Sequence, residues 1–308
     1  MNKLTQGLLV SVAACSIATT ANAQEENNPI SLSASVGYEY DSNLTVDAID
    51  SNSEAGDSAI TFDATANYDF VDSDDVGFSA GYNFYQTAHN EYDEFDMAIH
   101  GFNLDGRYTL DRIDLGTTYM FNTIRLGGEA FMNMHTVRPN IGYLMDNNKV
   151  YLIGSYEYQK HDFDSVGLQG RDATRHSVGA KSIFLLGGGN TATASYDWTD
   201  HNTHDPGYAY TGHTIDFALK LPVEMFDRET IFRTSYKFQS KDYQFASRRY
   251  TGGETRSDKR HTVSASWQVP IVMGIYGKAE IEYIGSNSNY TAVDYKETIS
   301  TFSVGWEF

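Results

Sequence analysis

Cysteine, proline, positive charge and long apolar runs are scarce in these 308 residues, and each shortage excludes something. The single cysteine, Cys15, permits neither an intrachain disulfide framework nor a thiolate metal cluster. Lys and Arg number 22 against 41 Asp and Glu, so nucleic acid is not an expected partner. The only run of apolar character, Leu4 to Ala18, falls short of the roughly 18 residues that mark a spanning helix. There is no glycine-rich phosphate loop, paired-cysteine motif or zinc-protease helix signature, and no cofactor, metal or catalytic constellation is expected. No amphipathic helical period is found after the first residues.

The N-terminus reads as a leader. Lys3 supplies the charge and Leu8-Leu9-Val10-Ser11-Val12-Ala13-Ala14 the apolar centre. Ala21-Asn22-Ala23 is a small-x-small cleavage site ahead of the polar Gln24-Glu25-Glu26-Asn27-Asn28. Val12-Ala13-Ala14-Cys15 also fits a lipoprotein box, with Cys15 lipidated, and that alternative stays open. Residues 1–23 are therefore set apart as signal peptide, 24–29 as a short segment, and 30–308 as one domain without a composition break. The remaining chain holds no cysteine and, without Lys3, 21 bases against 41 acids.

What the sequence has in quantity is Tyr (22), Phe (17) and Gly (26), arranged with period two. Ile30, Leu32, Ala34, Val36, Tyr38 and Tyr40 alternate with Ser31, Ser33, Ser35, Gly37 and Glu39. Ile60, Phe62, Ala64, Ala66, Tyr68 and Phe70 alternate with Thr61, Asp63, Thr65, Asn67 and Asp69. Such segments match the roughly 9–11 residues of a tilted membrane-crossing strand. The mean hydropathy of −0.44 fits, because only every second residue would meet lipid.

The fold class is all-β: a transmembrane antiparallel barrel of about fourteen strands, with twelve as the alternative. Strands are expected near 30–40, 58–70, 76–86, 95–110, 113–125, 129–145, 149–160, 174–186, 190–199, 211–222, 229–240, 258–270, 275–286 and 296–308. Short turns alternate with longer polar connections at 41–57, 87–94, 161–173, 200–210, 241–257 and 287–295. That alternation implies periplasmic turns, extracellular loops and both ends periplasmic. Leu126-Gly127-Gly128 is the irregularity, a short link where an outer loop is due. The acidic 41–57 loop is expected to be mobile, and no internal repeat beyond the strand alternation is evident.

The last strand is the most specific signal: Phe302, Val304, Trp306 and Phe308 share one face, opposite Thr301, Ser303, Gly305 and Glu307. This is the pattern by which barrel assembly machinery is expected to read an outer-membrane strand. Tyr38, Tyr40, Tyr68, Phe70, Phe84, Tyr156, Tyr158, Trp198, Tyr236, Phe238, Trp267, Tyr283, Trp306 and Phe308 all take the lipid phase, mostly near strand ends, as an interfacial girdle would. The opposite phase points Glu39, Asp63, Asp69, Asp105, Arg107, Asp114, Arg138, Glu157, Lys181, Asp197, Asp216, Lys220, Arg233, Lys237, Lys278, Glu280 and Glu282 into the lumen. These are candidate pore-lining groups or simply a solvated polar interior. Acids exceed bases among them and in most long loops, which implies a modest cation preference. Lys241, Arg248, Arg249 and Arg256 form the one basic loop patch. Asp200-His201 and His204-Asp205 superficially suggest a carboxylate–histidine pair, but one short loop falls well below a hydrolase or zinc signature.

Gly37-Tyr38-Glu39-Tyr40-Asp41-Ser42-Asn43-Leu44, Arg171-Asp172-Ala173-Thr174-Arg175-His176 and the close at Phe302 to Phe308 together resemble the barrel region of surface lipoprotein assembly modifiers. The resemblance spans the chain after its leader and implies a fourteen-stranded barrel. Members of that family carry an N-terminal periplasmic tetratricopeptide domain, for which the residues before Ile30 leave no room. The expected location is the Gram-negative outer membrane, with lipid and lipopolysaccharide as surroundings. Three readings follow: a passive porin-like channel for small solutes; an assembly, translocation or surface-binding barrel with a periplasmic or surface partner; and, as a minor one, an outer-membrane hydrolase.

Overall fold

The structure, a computed structural model, describes residues 28–246, 251 and 253–308. The leader 1–23 with Cys15, and the loop bases Arg248 and Arg249, lie outside the described residues. Fourteen antiparallel strands close into one barrel. They are β1 (Ile30–Asp41), β2 (Asp57–Asp72), β3 (Val76–His89), β4 (Met97–Leu110), β5 (Ile113–Leu126), β6 (Glu129–Leu144) and β7 (Val150–Phe163). There follow β8 (Ala173–Gly187), β9 (Asn190–Thr203), β10 (Tyr210–Met225), β11 (Arg228–Ala246), β12 (Thr255–Val272), β13 (Ile275–Ser288) and β14 (Tyr295–Glu307). Closure runs through β1 and β14, and the last residue takes part: Leu32 N donates to Phe308 O at 2.9 Å and Phe308 N to Leu32 O at 2.8 Å. Among the described residues the barrel sheet has no free edge strand, as a sheet in lipid requires. Among the described residues no helix is long and apolar enough to cross a membrane.

The two-residue alternation survives as burial. Tyr38 and Tyr40 are 53% and 52% exposed on the outside, and Glu39 between them is 4% exposed on the inside. The irregular link at Gly127-Gly128 is a hairpin turn, with φ of +55° and +78° and Leu126 paired to Glu129. Left-handed conformation at both central residues is what a tight hairpin compatible with strand twist needs, and glycine adopts it without strain. The parity of fourteen strands thus holds, with longer loops at one end and short turns at the other.

The structure departs from the sequence expectations at the long-loop end. Several strands run further than the hydrophobic alternation does: β3 to His89, β9 to Thr203, β11 to Ala246, and β12 from Thr255. Above the lipid both faces of a strand meet polar surroundings, so the alternation fades while backbone pairing continues. The 41–57 segment is not a mobile outer loop. Residues 42–56 fold into the barrel, pairing Thr45–Val46 with Ser51–Asn52 around a 3-10 turn at Asp47–Ile49. Leu44 and Val46 are each 2% exposed. Val46 packs in an apolar cluster with Met97, Ile99, Ile124, Phe131, Met132 and Phe163 from β4 to β7. Burying one valine contributes about 2 kcal/mol.

Candidate functional site

Every lumenal residue named from the sequence lies on the inward phase of its strand. The structure brings some of them together. Arg138 pairs with Glu157, with Arg175 3.9 Å from the same carboxylate. Lys278 pairs with Glu280. Glu39 accepts from Thr301 at 3.0 Å, and Asp114 from Thr109 and Tyr151 at 2.7 and 2.6 Å. Asp105 accepts from Thr118 at 2.6 Å, and Arg233 donates to Gln268 at 3.4 Å. Across β8 to β11 the register sets Lys237 opposite Asp216, with Lys181 on the same rung beyond Ser195 and Asp197 on the next inward rung. Arg107, Asp69 and Lys220 are exposed in the part of the lumen nearest the short turns, and Asp63 is exposed about midway along β2. The buried Glu282 lies towards the long-loop end.

This gradient shows the shape of the interior: open towards the short turns and filled at the other end. What fills it is the loop 42–56. Leaving β1, it reaches β4–β7 through Val46 and β12 through its acids. Asp47 accepts from Arg260 through both carboxylate oxygens and from Tyr295 at 3.2 Å. Asp50 is held between Arg171 and Arg256, each at 2.8 Å. Arg171 also donates to Ala48 O at 3.1 Å and lies 3.9 Å over the Tyr208 ring. Arg256 pairs with Asp258 at 2.7 Å and lies 4.2 Å over Tyr243. Burial works most strongly against ionisation of Asp47, yet the charge and hydrogen bonds of Arg260 outweigh it and hold the carboxyl far below its ordinary value. Asp50 is lowered likewise, by Arg256 and Arg171 against the cost of burial.

Beside the loop remains a cavity of about 260 Å³. Its wall carries Arg138, Arg171, Arg175, Lys237 and Lys241 against Asp47, Asp50, Glu157 and Asp197. Rings form one side: His161 to His201 at 5.7 Å, His201 to Tyr210 at 4.7 Å, Tyr210 to Tyr243 at 5.3 Å. The Asp-His loop reading does not assemble into a site. Asp200 and His201 are strand neighbours on opposite faces, Asp200 accepts from Asn202, and Asp205 caps Gly207. Among the described residues no cluster of three metal-ligating side chains is present.

Sequence reasoning missed the most connected groups: Asp47, Asp50, Arg171, Arg175, Arg256 and Arg260. Arg175 and Arg260 lie within the expected strands 174–186 and 258–270, on the phase of Lys181 and Ser264, so strand phase alone would have placed them in the lumen. Asp47 and Asp50 carry no local signal, since their burial comes from how the loop packs.

The sequence matches the family model described as surface lipoprotein assembly modifier over residues 10–308. The chain belongs to that family. A comparison with functionally curated proteins finds no match. Among solved structures the family member is similar in fold to OmpT of Vibrio cholerae, at TM-score 0.53 and 9% identity, covering 91% of this chain and 99% of that one. An anion-selective porin from Comamonas acidovorans gives 0.52 and 7%, covering 91% and 98%. CdiB from Acinetobacter baumannii gives 0.51 and 10%, covering 91% of this chain and 60% of that one. At these identities the likeness concerns the barrel alone, and with the family it supports an outer-membrane location.

Proposed function

We propose that this barrel is an outer-membrane conduit, held shut in the present state by its own first loop, which opens during assembly of lipoproteins at the cell surface. The observation that carries the reading is the loop's attachment. It crosses the lumen and is fastened by Asp47 to Arg260 and by Asp50 to Arg171 and Arg256. Ion pairs with a small apolar contact make a removable closure, because the separated charges can be rehydrated when the loop swings out. The family's description supplies the cargo class; the lipoprotein, any periplasmic partner and the barrel assembly machinery are part of the proposal.

A second reading, a passive channel for small solutes, is favoured by the cavity of about 260 Å³ beside the loop and its mixed charge. Planar-bilayer conductance of the refolded chain separates the two. A closed conduit gives rare, small openings that become large and long-lived in Asp47→Asn/Asp50→Asn and on deletion of residues 45–54. Steady conductance in the unaltered chain, unchanged by these variants, would reject the closed conduit and support the passive channel.

A further inference from the structure

The outer surface carries a repeat that the strand alternation conceals. In five consecutive hairpins joined at the long-loop end, the first strand presents a tyrosine and, two residues on, a second aromatic. The second strand presents a histidine directly opposite that second aromatic: His100 at Phe84, His135 at Phe121, His176 at Tyr158, His213 at Trp198, His261 at Phe238. Each histidine is bonded through Nδ1 to the hydroxyl of the diagonal tyrosine. The pairs are Tyr82–His100 at 2.8 Å, Tyr119–His135 at 2.9 Å, Tyr156–His176 at 2.6 Å, Tyr196–His213 at 2.8 Å and Tyr236–His261 at 2.9 Å. The equivalent position is Ser58 in the first hairpin, opposite Tyr40, and Lys296 in the last, opposite Gly285.

The level of this belt is set by what lies on either side. Below it, down to the residues flanking the short turns, the outward phase holds no Asp, Glu, Lys or Arg. From His100 to Tyr108 is eight residues, about 26 Å of strand at 3.3 Å each. A tilt of 35–45° shortens that to roughly 20 Å of barrel height, close to the apolar band of about 25 Å in outer-membrane barrels. Just above the belt the outward phase turns ionic, with Arg125, Lys160 and Lys259 among Asp162, Asp200 and Asp242, while Lys296 sits at the belt's own level. The belt therefore lies where acyl chains give way to headgroups, in the leaflet on the long-loop side.

A polar imidazole buried against lipid is costly unless its nitrogens are bonded. In the tautomer where the tyrosine hydroxyl donates to Nδ1, the ring proton resides on Nε2. Among the described residues no hydrogen bond reaches Nε2 in any of the five. In that tautomer each pair offers one oriented N–H donor, against an aromatic neighbour, at headgroup depth. A phosphate oxygen accepts such a bond well, and the lysines and the arginine above complement its charge.

We infer that the five tyrosine–histidine pairs are docking sites for the phosphorylated glucosamine headgroup of lipid A in the outer leaflet. The inference does not depend on whether the lumen conducts. Native mass spectrometry of the folded full chain, titrated with bisphosphorylated lipid A, with dephosphorylated lipid A and with phosphatidylglycerol, tests it. Bisphosphorylated lipid A should be retained at least tenfold more strongly than the other two. Replacing all five histidines by Phe should abolish the difference. Should that variant fail to fold, Tyr→Phe at 82, 119, 156, 196 and 236 deletes only the hydroxyls and should weaken retention in the same way. Equal retention of dephosphorylated lipid, an undiminished preference in the folded variants, or phosphatidylglycerol held as tightly as lipid A would each overturn the assignment.

Discussion

The contact between Asp47 and Arg260 does more to shape the interior than any lumenal residue that strand phase points to. Both side chains are largely withdrawn from water, at 21% and 9% exposure, so removing one leaves the other without its counter-charge. Asp47→Ala should release the loop at a cost of about 3–5 kcal/mol, seen as rapid hydrogen exchange and protease cleavage within 42–56. Replacing both, as Asp47→Leu/Arg260→Met, should restore protection, because an apolar pair of similar volume avoids the desolvation penalty. Equal protection in all three proteins would exclude the ion pair as the fastening. The pH dependence follows from the direction of the shift. Asp47 and Asp50 are both held below their ordinary value. Their stabilisation is complete above the usual aspartate pKa of about 3.9 and is lost only as pH falls through the lowered values. Protection of the loop should therefore be the same at pH 8 and pH 5; release by pH 5 would show that other groups hold it.

Among the elements, β14 is where a local pattern and a global role coincide. Its outward residues Phe302 and Val304 are 67% and 58% exposed, as lipid contact demands. The same strand seals the barrel against β1, from Ser33–Glu307 to Asp41–Ile299. Phe302→Asp/Trp306→Asp should leave the chain out of outer-membrane fractions and without the heat-modifiable form on gels. A charge facing lipid costs up to about 2–4 kcal/mol near the midplane for Lys or Arg and less for a carboxylate, and the expected assembly signal is lost with it. A normally inserted, heat-modifiable double variant would refute that role. The hairpin at Gly127-Gly128 teaches the complementary lesson: a link too short to resemble an outer loop is one, because two glycines in left-handed conformation turn the chain within two residues.

For the whole molecule, charge position outweighs charge total. Acids predominate along the chain, and from sequence that implies a cation preference. The structure puts the exposed acid Asp69 in the wide part near the short turns and sets bases beside the loop, several of them paired with the loop's own acids. Were the loop released, Asp47 and Asp50 would leave with it, while Arg138, Arg175, Lys237, Arg256 and Arg260 would stay on the wall with Glu157, Asp197 and Asp258, and Arg260 would lose its counter-charge. A field is focused most strongly where low-dielectric walls are closest. Reversal potentials of the opened Asp47→Asn/Asp50→Asn pore in a KCl gradient should thus shift towards anions relative to a pore opened with both acids in place, the shift weakening as salt rises. An unchanged reversal potential would place the selective region elsewhere.

Strand number, inward and outward faces, the closing aromatic strand and the aromatic girdle were all determined by the sequence itself. In a barrel each residue's side follows from parity, and lipid allows few exceptions to apolar-out. The folded first loop, the arginines that fasten it and the tyrosine–histidine repeat were decided only by tertiary structure. Tyr236 and His261 are 25 positions apart, and Asp47 and Arg260 213. No local period connects such residues; they meet because strand register and barrel closure carry them to the same height.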